Sequence, residues 1–209
     1  MMNKERIAVL IGKNGKTKHL IENLTHTKIE INSETGEYSI LPNESSEINK
    51  INLDELDDLQ LELDKSIEDI VVDSNIGVWI SKAILDAINY GFKPEKALKI
   101  LDQRYSIDFL NLEEILGSSD KRIHRVKSRI IGEQGKMRET IERFSLTYIS
   151  VYNNIIGIIG EFDSVKIAKK AISMIIDGLP LKTVTNFLQK KYQESREHEF
   201  QENWKPSFD

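Results

Sequence analysis

Displacing the sequence by 120 positions lays it on itself without a gap. Gly12 falls on Gly132, Gly15 on Gly135, Lys16 on Lys136, Ile21 on Ile141, Glu22 on Glu142, Thr27 on Thr147 and Ile29 on Ile149. The identities centre on two stretches, "LIGKNGKTKHLIENL" and "IIGEQGKMRETIERF", each with two glycines three apart inside an otherwise helical pattern. An interior helical glycine costs about 1 kcal/mol relative to alanine. A chain that needed only a helix would not keep four of them, so the interruption itself is what the fold requires. An internal repeat of this kind also fixes the domain organisation: 209 residues are read as two similar small domains rather than one large one.

Hydrophobic spacing agrees with the identities. Thr17, Leu20, Ile21 and Leu24, and in the second copy Met137, Thr140, Ile141 and Phe144, follow i, i+3, i+4, i+7, which predicts one buried helical stripe in each copy. "TKIEI" (27–31) and "TYISV" (147–151) predict strands, and second strands follow as "EYSIL" and "IIGII". Short helices precede the glycines, with Ile7, Leu10 and Ile11 in one copy and Ile123, Val126, Ile130 and Ile131 in the other. Long apolar-striped helices close both copies, through Ile80, Ala83, Ile84, Ala87 and Ile88 and through Ala168, Ala171, Ile172, Ile175 and Ile176. These last helices are 88 apart, so the first copy carries 32 extra residues, the length of the stretch from 42 to 73. "YSIDFLNLEEIL" (105–116) predicts an extra strand ahead of the second copy, and no equally clear strand precedes the first.

Charge is distributed unevenly beneath a net −5. Residues 42–73 hold eleven acids against Lys50 and Lys65, and are read as an acidic insertion in the first copy. From 121 to 138 the chain carries Lys121, Arg122, Arg125, Lys127, Arg129, Lys136 and Arg138 against Glu133 alone. A positive patch therefore adjoins the second glycine pair. Without cysteine there is no disulfide framework, thiolate metal site or cysteine nucleophile. No apolar run approaches the roughly 20 residues that cross a bilayer, and "MMNKERIAVLIGKNG" lacks a signal-peptide pattern, so a soluble, cytoplasmic protein with no membrane partner is expected.

Helix, G-x-x-G, helix, strand, strand, helix is the element order of a KH module, whose GXXG loop clamps a short run of nucleotide backbone. The expectation is that the first glycine closes one helix in a left-handed conformation and the second opens the next without a Cβ in the way. Sugar-phosphate can then approach the main chain, where first-turn N–H groups point at phosphate. Single-stranded RNA fits such a groove and a duplex does not. The candidate RNA-binding residues are Gly12, Lys13, Asn14, Gly15, Lys16, Lys18 and Ile29 in the first copy. In the second they are Arg125, Arg129, Gly132, Glu133, Gln134, Gly135, Lys136, Arg138 and Ile149. Ile29 and Ile149 are expected at the groove floor, and the basic residues form the phosphate footprint. Glu133 opposes phosphate, which leaves the first loop, with Lys13 and Asn14, the more favourable of the two.

"ERIAVLIGKNGKTKHLIE", the bridging "GFKPEKALKILD" and "RIHRVKSRIIGEQGKMRETIE…ISVYNNIIGIIGEFDSVKIAKKAISMIIDGLP" resemble the two-KH ribosome-assembly factors of archaea, related to the Partner-of-Nob (Dim-two) family. The likeness spans about residues 5–195 apart from the acidic insertion. It includes a basic residue three beyond the second glycine, Lys18 and Arg138. Thr25-His26 and Ser145-Leu146 depart from the usual Thr-Gly before the strand. The resemblance implies an α+β fold of two tandem type I KH domains (β-α-α-β-β-α), the first with an acidic insertion, followed by a C-terminal helical tail. The expected division is a first domain over 1–93, a connecting helix over 94–104, a second domain over 105–180, and a C-terminal helix and tail over 181–209. It further implies precursor small-subunit rRNA near its 3′ end as ligand, a PIN-domain endonuclease as partner, and a role in ribosome biogenesis; a monomer is expected.

An enzyme is the first rival reading. His19, His26, His124 and His198 show no metal-ligand spacing, "DELDD" (54–58) reads as acidic surface, and no nucleophile–base constellation is present, so neither catalysis nor a metal or cofactor is expected. The second rival is a protein-interaction scaffold, for an rRNA-processing endonuclease or a translation factor, in which one or both grooves have ceased to bind RNA. "KKYQESREHEFQENWKPSFD" reads as a charged helix ending in a tail that holds Trp204.

Overall fold

The computed structural model describes residues 2–43 and 74–203. The acidic insertion from Glu44 onward, with its "DELDD", and Trp204 lie outside the described residues. The chain divides into two compact units, Met1–Ile107 and Asp108–Asp209.

In the first unit, α1 (Lys4–Ile11) and α2 (Lys16–Thr25) meet at a single 3-10 turn, Lys13–Gly15. Strands β1 (Thr27–Ile31) and β2 (Tyr38–Pro42) pair antiparallel with Ile29 opposite Ile40. Helix α3 (Ser74–Asn89) follows in sequence order. No strand precedes α1 among the described residues; the Met2 N–H donates to Gly36 O at the hairpin turn, 2.7 Å away. Most of the apolar stripes predicted from spacing turn inward: Ile7, Leu10, Leu20, Ile21, Ile84, Ala87 and Ile88 are buried, while Ile11, Ile80 and Ala83 are half-buried. "PEKALKIL" forms a short helix, α4 (Pro94–Ala97), with proline at its first turn, running into a 3-10 turn Leu98–Leu101. Ala97, Leu98 and Leu101 are buried within this first unit, so the segment packs there rather than standing free.

The second unit shows the full module. Strand β3 spans Tyr105–Asn111, shorter than the 105–116 stretch read from the sequence, because Asn111 caps a helix instead: its side chain accepts from Glu113 N at 3.0 Å and α5 (Leu112–Leu116) begins. Then come α6 (Asp120–Ile131), a 3-10 turn Glu133–Gly135, α7 (Lys136–Ser145), β4 (Tyr148–Tyr152), β5 (Ile155–Glu161) and α8 (Phe162–Ile176). The sheet order is β3-β5-β4, which leaves one side of β4 without a partner strand among the described residues. Its core gathers Ile130, Ile141, Ile149, Ile156, Ile158 and Ile172. Lys169 reaches Asp108 at 2.6 Å, tying α8 to β3. The glycine stop and Pro180 lead into a 23-residue helix, α9 (Leu181–Asn203). Val184 and Leu188 are fully buried, and Tyr192 meets Phe144 of α7 edge-on at 5.8 Å.

In each unit an arginine from the helix that enters the glycine loop closes the end of the long helix that follows the hairpin, α3 or α8. A helix leaves its final carbonyls unpaired. Arg6 donates to Ile88 O and Phe92 O; Arg129 donates to Ile175 O at 2.8 Å and to Leu179 O. The positive charge also complements the negative end of the helix.

Candidate nucleic-acid interface

The two glycine loops have the same backbone. Gly12 takes φ 70°, ψ −177° and Gly132 φ 72°, ψ 179°; Gly15 takes φ 80°, ψ 0° and Gly135 φ 83°, ψ 0°. Asn14 (φ 57°) and Gln134 (φ 52°), between the glycines, are also left-handed. The expected division of labour is reversed in one respect. A Cβ on Gly132 would lie 2.6 Å from Met137 Cβ and 2.8 Å from Met137 N, and one on Gly12 would lie 2.8 Å from Thr17 Cβ. The first glycine is thus the one that lets the next helix pack close. A Cβ on Gly135 would meet nothing nearer than Glu139 Oε1 at 3.9 Å, so the second glycine supplies conformation and not space. The four central residues, Lys13, Asn14, Glu133 and Gln134, are exposed, and their backbone N–H groups donate to no partner among the described residues. Unpaired amides on exposed residues ahead of a helix suit an anion.

Around the first loop Lys13 is exposed and Lys16 half-buried; around the second, Lys136 is exposed and Glu133 supplies the opposite charge. Lys18 and Arg138 lie one turn further on, where a glutamate holds each. Lys18 Nζ is 3.4 Å from Glu22 Oε1, and Arg138 Nε is 3.8 Å from Glu142 Oε2. Both glutamates cross to the neighbouring strand: Glu22 Oε1 accepts from Ile29 N and Glu142 Oε1 from Ile149 N, each at 2.7 Å. In the first unit His19 Nδ1 also lies 3.1 Å from Glu22 Oε2.

Three expected site residues stand elsewhere than the sequence suggested. Ile29 and Ile149 are 0% and 4% exposed; the pleat turns their side chains into the core, and only their N–H groups reach the strand edge. They therefore form no apolar floor. Arg129 is committed to the carbonyls at the end of α8 and sits apart from the loop's phosphate footprint. Arg125 remains exposed, lining with Arg122, Arg129, Val126, Leu116, Ile176 and Gly178 a depression of about 450 Å³. The Thr-Gly departures leave the turn's shape intact: His26 (φ 51°) and Leu146 (φ 55°) adopt the left-handed conformation that a glycine would take, each at a cost of about 1 kcal/mol.

The sequence reading missed Glu22 and Glu142 as functional groups. Their signal was present, since they are the one acid among the identities that centre on the glycine loops of the 120-residue repeat. Among the described residues no cluster of three His, Asp or Glu side chains could hold a metal ion, and no helix is long and apolar enough to cross a membrane.

Residues 106–193 match the family model for the eukaryotic-type KH domain (KH-domain type I), in its form for the second KH domain of PNO1. A KH domain-containing protein of Methanocaldococcus jannaschii is 32% identical over 206 residues, covering 99% of this chain and 78% of that protein. A pre-rRNA-processing protein PNO1 of Yarrowia lipolytica is 31% identical over 96 residues, covering 45% of this chain and 37% of its own length. Among solved structures, a complex of a/eIF2alpha, aDim2p and rRNA from Pyrococcus horikoshii contains a chain that is 34% identical, with a TM-score of 0.74 over 92% of both chains.

Proposed function

The chain belongs to the PNO1/Dim2 family of KH-domain proteins, and on that premise we propose that it binds single-stranded RNA through its two GXXG loops. The RNA is precursor small-subunit rRNA near its 3′ end, bound during ribosome assembly in the cytoplasm, and a PIN-domain endonuclease is a protein partner of the same step. One observation carries the reading: two loops of closely matching backbone shape, 120 residues apart, each carry on exposed residues a pair of main-chain N–H groups with no protein acceptor among the described residues. Lys13, with Lys16 beside it, makes the first loop the stronger phosphate clamp. The rRNA-processing and rRNA-complex relatives support the ligand class.

A protein-interaction scaffold is the second reading, and it applies to the second unit. There Glu133 places a negative charge inside the loop and Arg129 is occupied elsewhere. Replacing Lys13-Asn14 with Asp-Asp, and separately Glu133-Gln134 with Asp-Asp, tests both readings by fluorescence anisotropy on labelled single-stranded RNA. The first change is expected to reduce affinity at least tenfold with circular dichroism unchanged. If neither does, the RNA reading fails and the scaffold stands; if only the first does, the second unit is the scaffold.

A further inference from the structure

Resting on the RNA reading, we infer that the second unit reads a guanine base through Glu142 and Arg138, on the open edge of β4. An unpaired strand edge would offer a base the N–H of Ile149. Here the Glu142 carboxylate covers that N–H at 2.7 Å, which replaces a donor by acceptors. An ionised carboxylate has about four lone-pair sites. Ile149 uses one, and Arg138 Nε at 3.8 Å is too far for a hydrogen bond, so acceptor capacity remains. Arg138 Nε is itself buried with no hydrogen-bond partner, an unsatisfied donor beside an undersatisfied acceptor. The Glu142 side chain is 19% exposed and that of Arg138 40% although its Nε is enclosed, so a ligand meets the carboxylate and the remaining atoms of Arg138.

Among the four bases the combination suits guanine. Its Watson–Crick edge sets N1–H and the N2 amine side by side, which a carboxylate can accept together, next to O6, which a guanidinium can donate to. Adenine and cytosine each turn a ring-nitrogen lone pair toward the carboxylate, and uracil flanks its single N–H with two carbonyls. The first unit does not repeat the arrangement. Lys18 Nζ at 3.4 Å and His19 Nδ1 at 3.1 Å both crowd the Glu22 carboxylate, alongside the Ile29 N–H. Most of its acceptor capacity is taken up, and selectivity is assigned to the second unit alone.

The test titrates the full chain with heptauridine strands carrying one central guanosine, inosine, adenosine or cytidine, or none. Guanosine is expected to bind about tenfold tighter than adenosine, cytidine or uridine. Inosine, which lacks the N2 amine, should fall between. In Glu142→Gln, whose amide oxygen can still accept from Ile149, the guanosine preference should shrink to about twofold or less; in Glu22→Gln it should persist. Equal binding of all strands by the wild-type chain overturns the base assignment while the RNA reading stands. Preference that survives Glu142→Gln, or that is lost in Glu22→Gln instead, overturns the site. Failure of every strand to bind in dilute buffer removes the RNA reading and this inference with it.

Discussion

Replacing Gly132 by alanine should do far more harm to the fold than replacing Gly135, although the two are three residues apart in one loop. Gly132 lies at φ 72°, ψ 179°, a region open almost only to glycine, where an L-residue costs about 2 kcal/mol. Its new Cβ would also press on Met137 N at 2.8 Å and Met137 Cβ at 2.6 Å, and backbone cannot rotate away; overpacking of this kind adds about 2 kcal/mol. Gly135 at φ 83°, ψ 0° has open space for a methyl group, so its alanine variant pays only the left-handed term, about 1 kcal/mol. The difference, about 3 kcal/mol, is about a hundredfold in the opening equilibrium. Hydrogen exchange read by mass spectrometry on peptides of β5 and α8 measures it in the intact chain, with α3 of the first unit as internal reference. Gly132→Ala should lose about a thousandfold in protection and Gly135→Ala about fivefold. Equal losses, or a larger one at Gly135, would refute the assignment of packing to the first glycine and conformation to the second.

Arginines four residues apart on α6 should separate in the same way. Arg129→Ala removes a charged donor from two helix-end carbonyls and should lower the second unit's stability by about 2 kcal/mol. Arg125→Ala should move stability by less than about 0.5 kcal/mol and, if Arg125 meets a phosphate, flatten the salt dependence of RNA binding by about 0.7 in logarithmic slope; urea unfolding and a salt titration check the pair. In the first unit, burial and the neighbouring Asp86 push the Tyr38 hydroxyl up to about 12. Its folded-state value is raised, so the stability it contributes is present below about pH 10 and is lost as the pH rises toward 12. Tyr38→Phe should therefore show a flatter stability profile between those limits in urea midpoints followed by circular dichroism; identical profiles would count against it.

Periodicity and identity made most of the architecture legible in advance. Strand β1 occupies the same 27–31 stretch that alternation picks out; the helix after the first glycine loop buries all four residues that the spacing selects, and the one after the second buries Met137 and Ile141 while Thr140 and Phe144 stay half-buried. What pattern could not convey is direction. Chain proximity puts Arg129 beside the loop, but its long side chain runs back to Ile175 and Leu179. Alternation identifies Ile149 as facing one side of a strand without saying that this side is the core. Asn111 ends a strand early because a side-chain oxygen competes for an amide, a local hydrogen bond that hydrophobic spacing does not record. Glu142 was visible as an identity, and its use needed coordinates, since the amide it holds is seven residues away.

The arginines that close α3 and α8 stand at positions 6 and 129, three out of step with the 120-residue offset of the glycine loops. A side chain with so long a reach can arrive at one destination from adjacent turns, so the joint persists where the column does not. Aligning the halves of this chain letter by letter therefore understates their kinship; a tally of which carbonyls are met, blind to where the donor is rooted, would recover it.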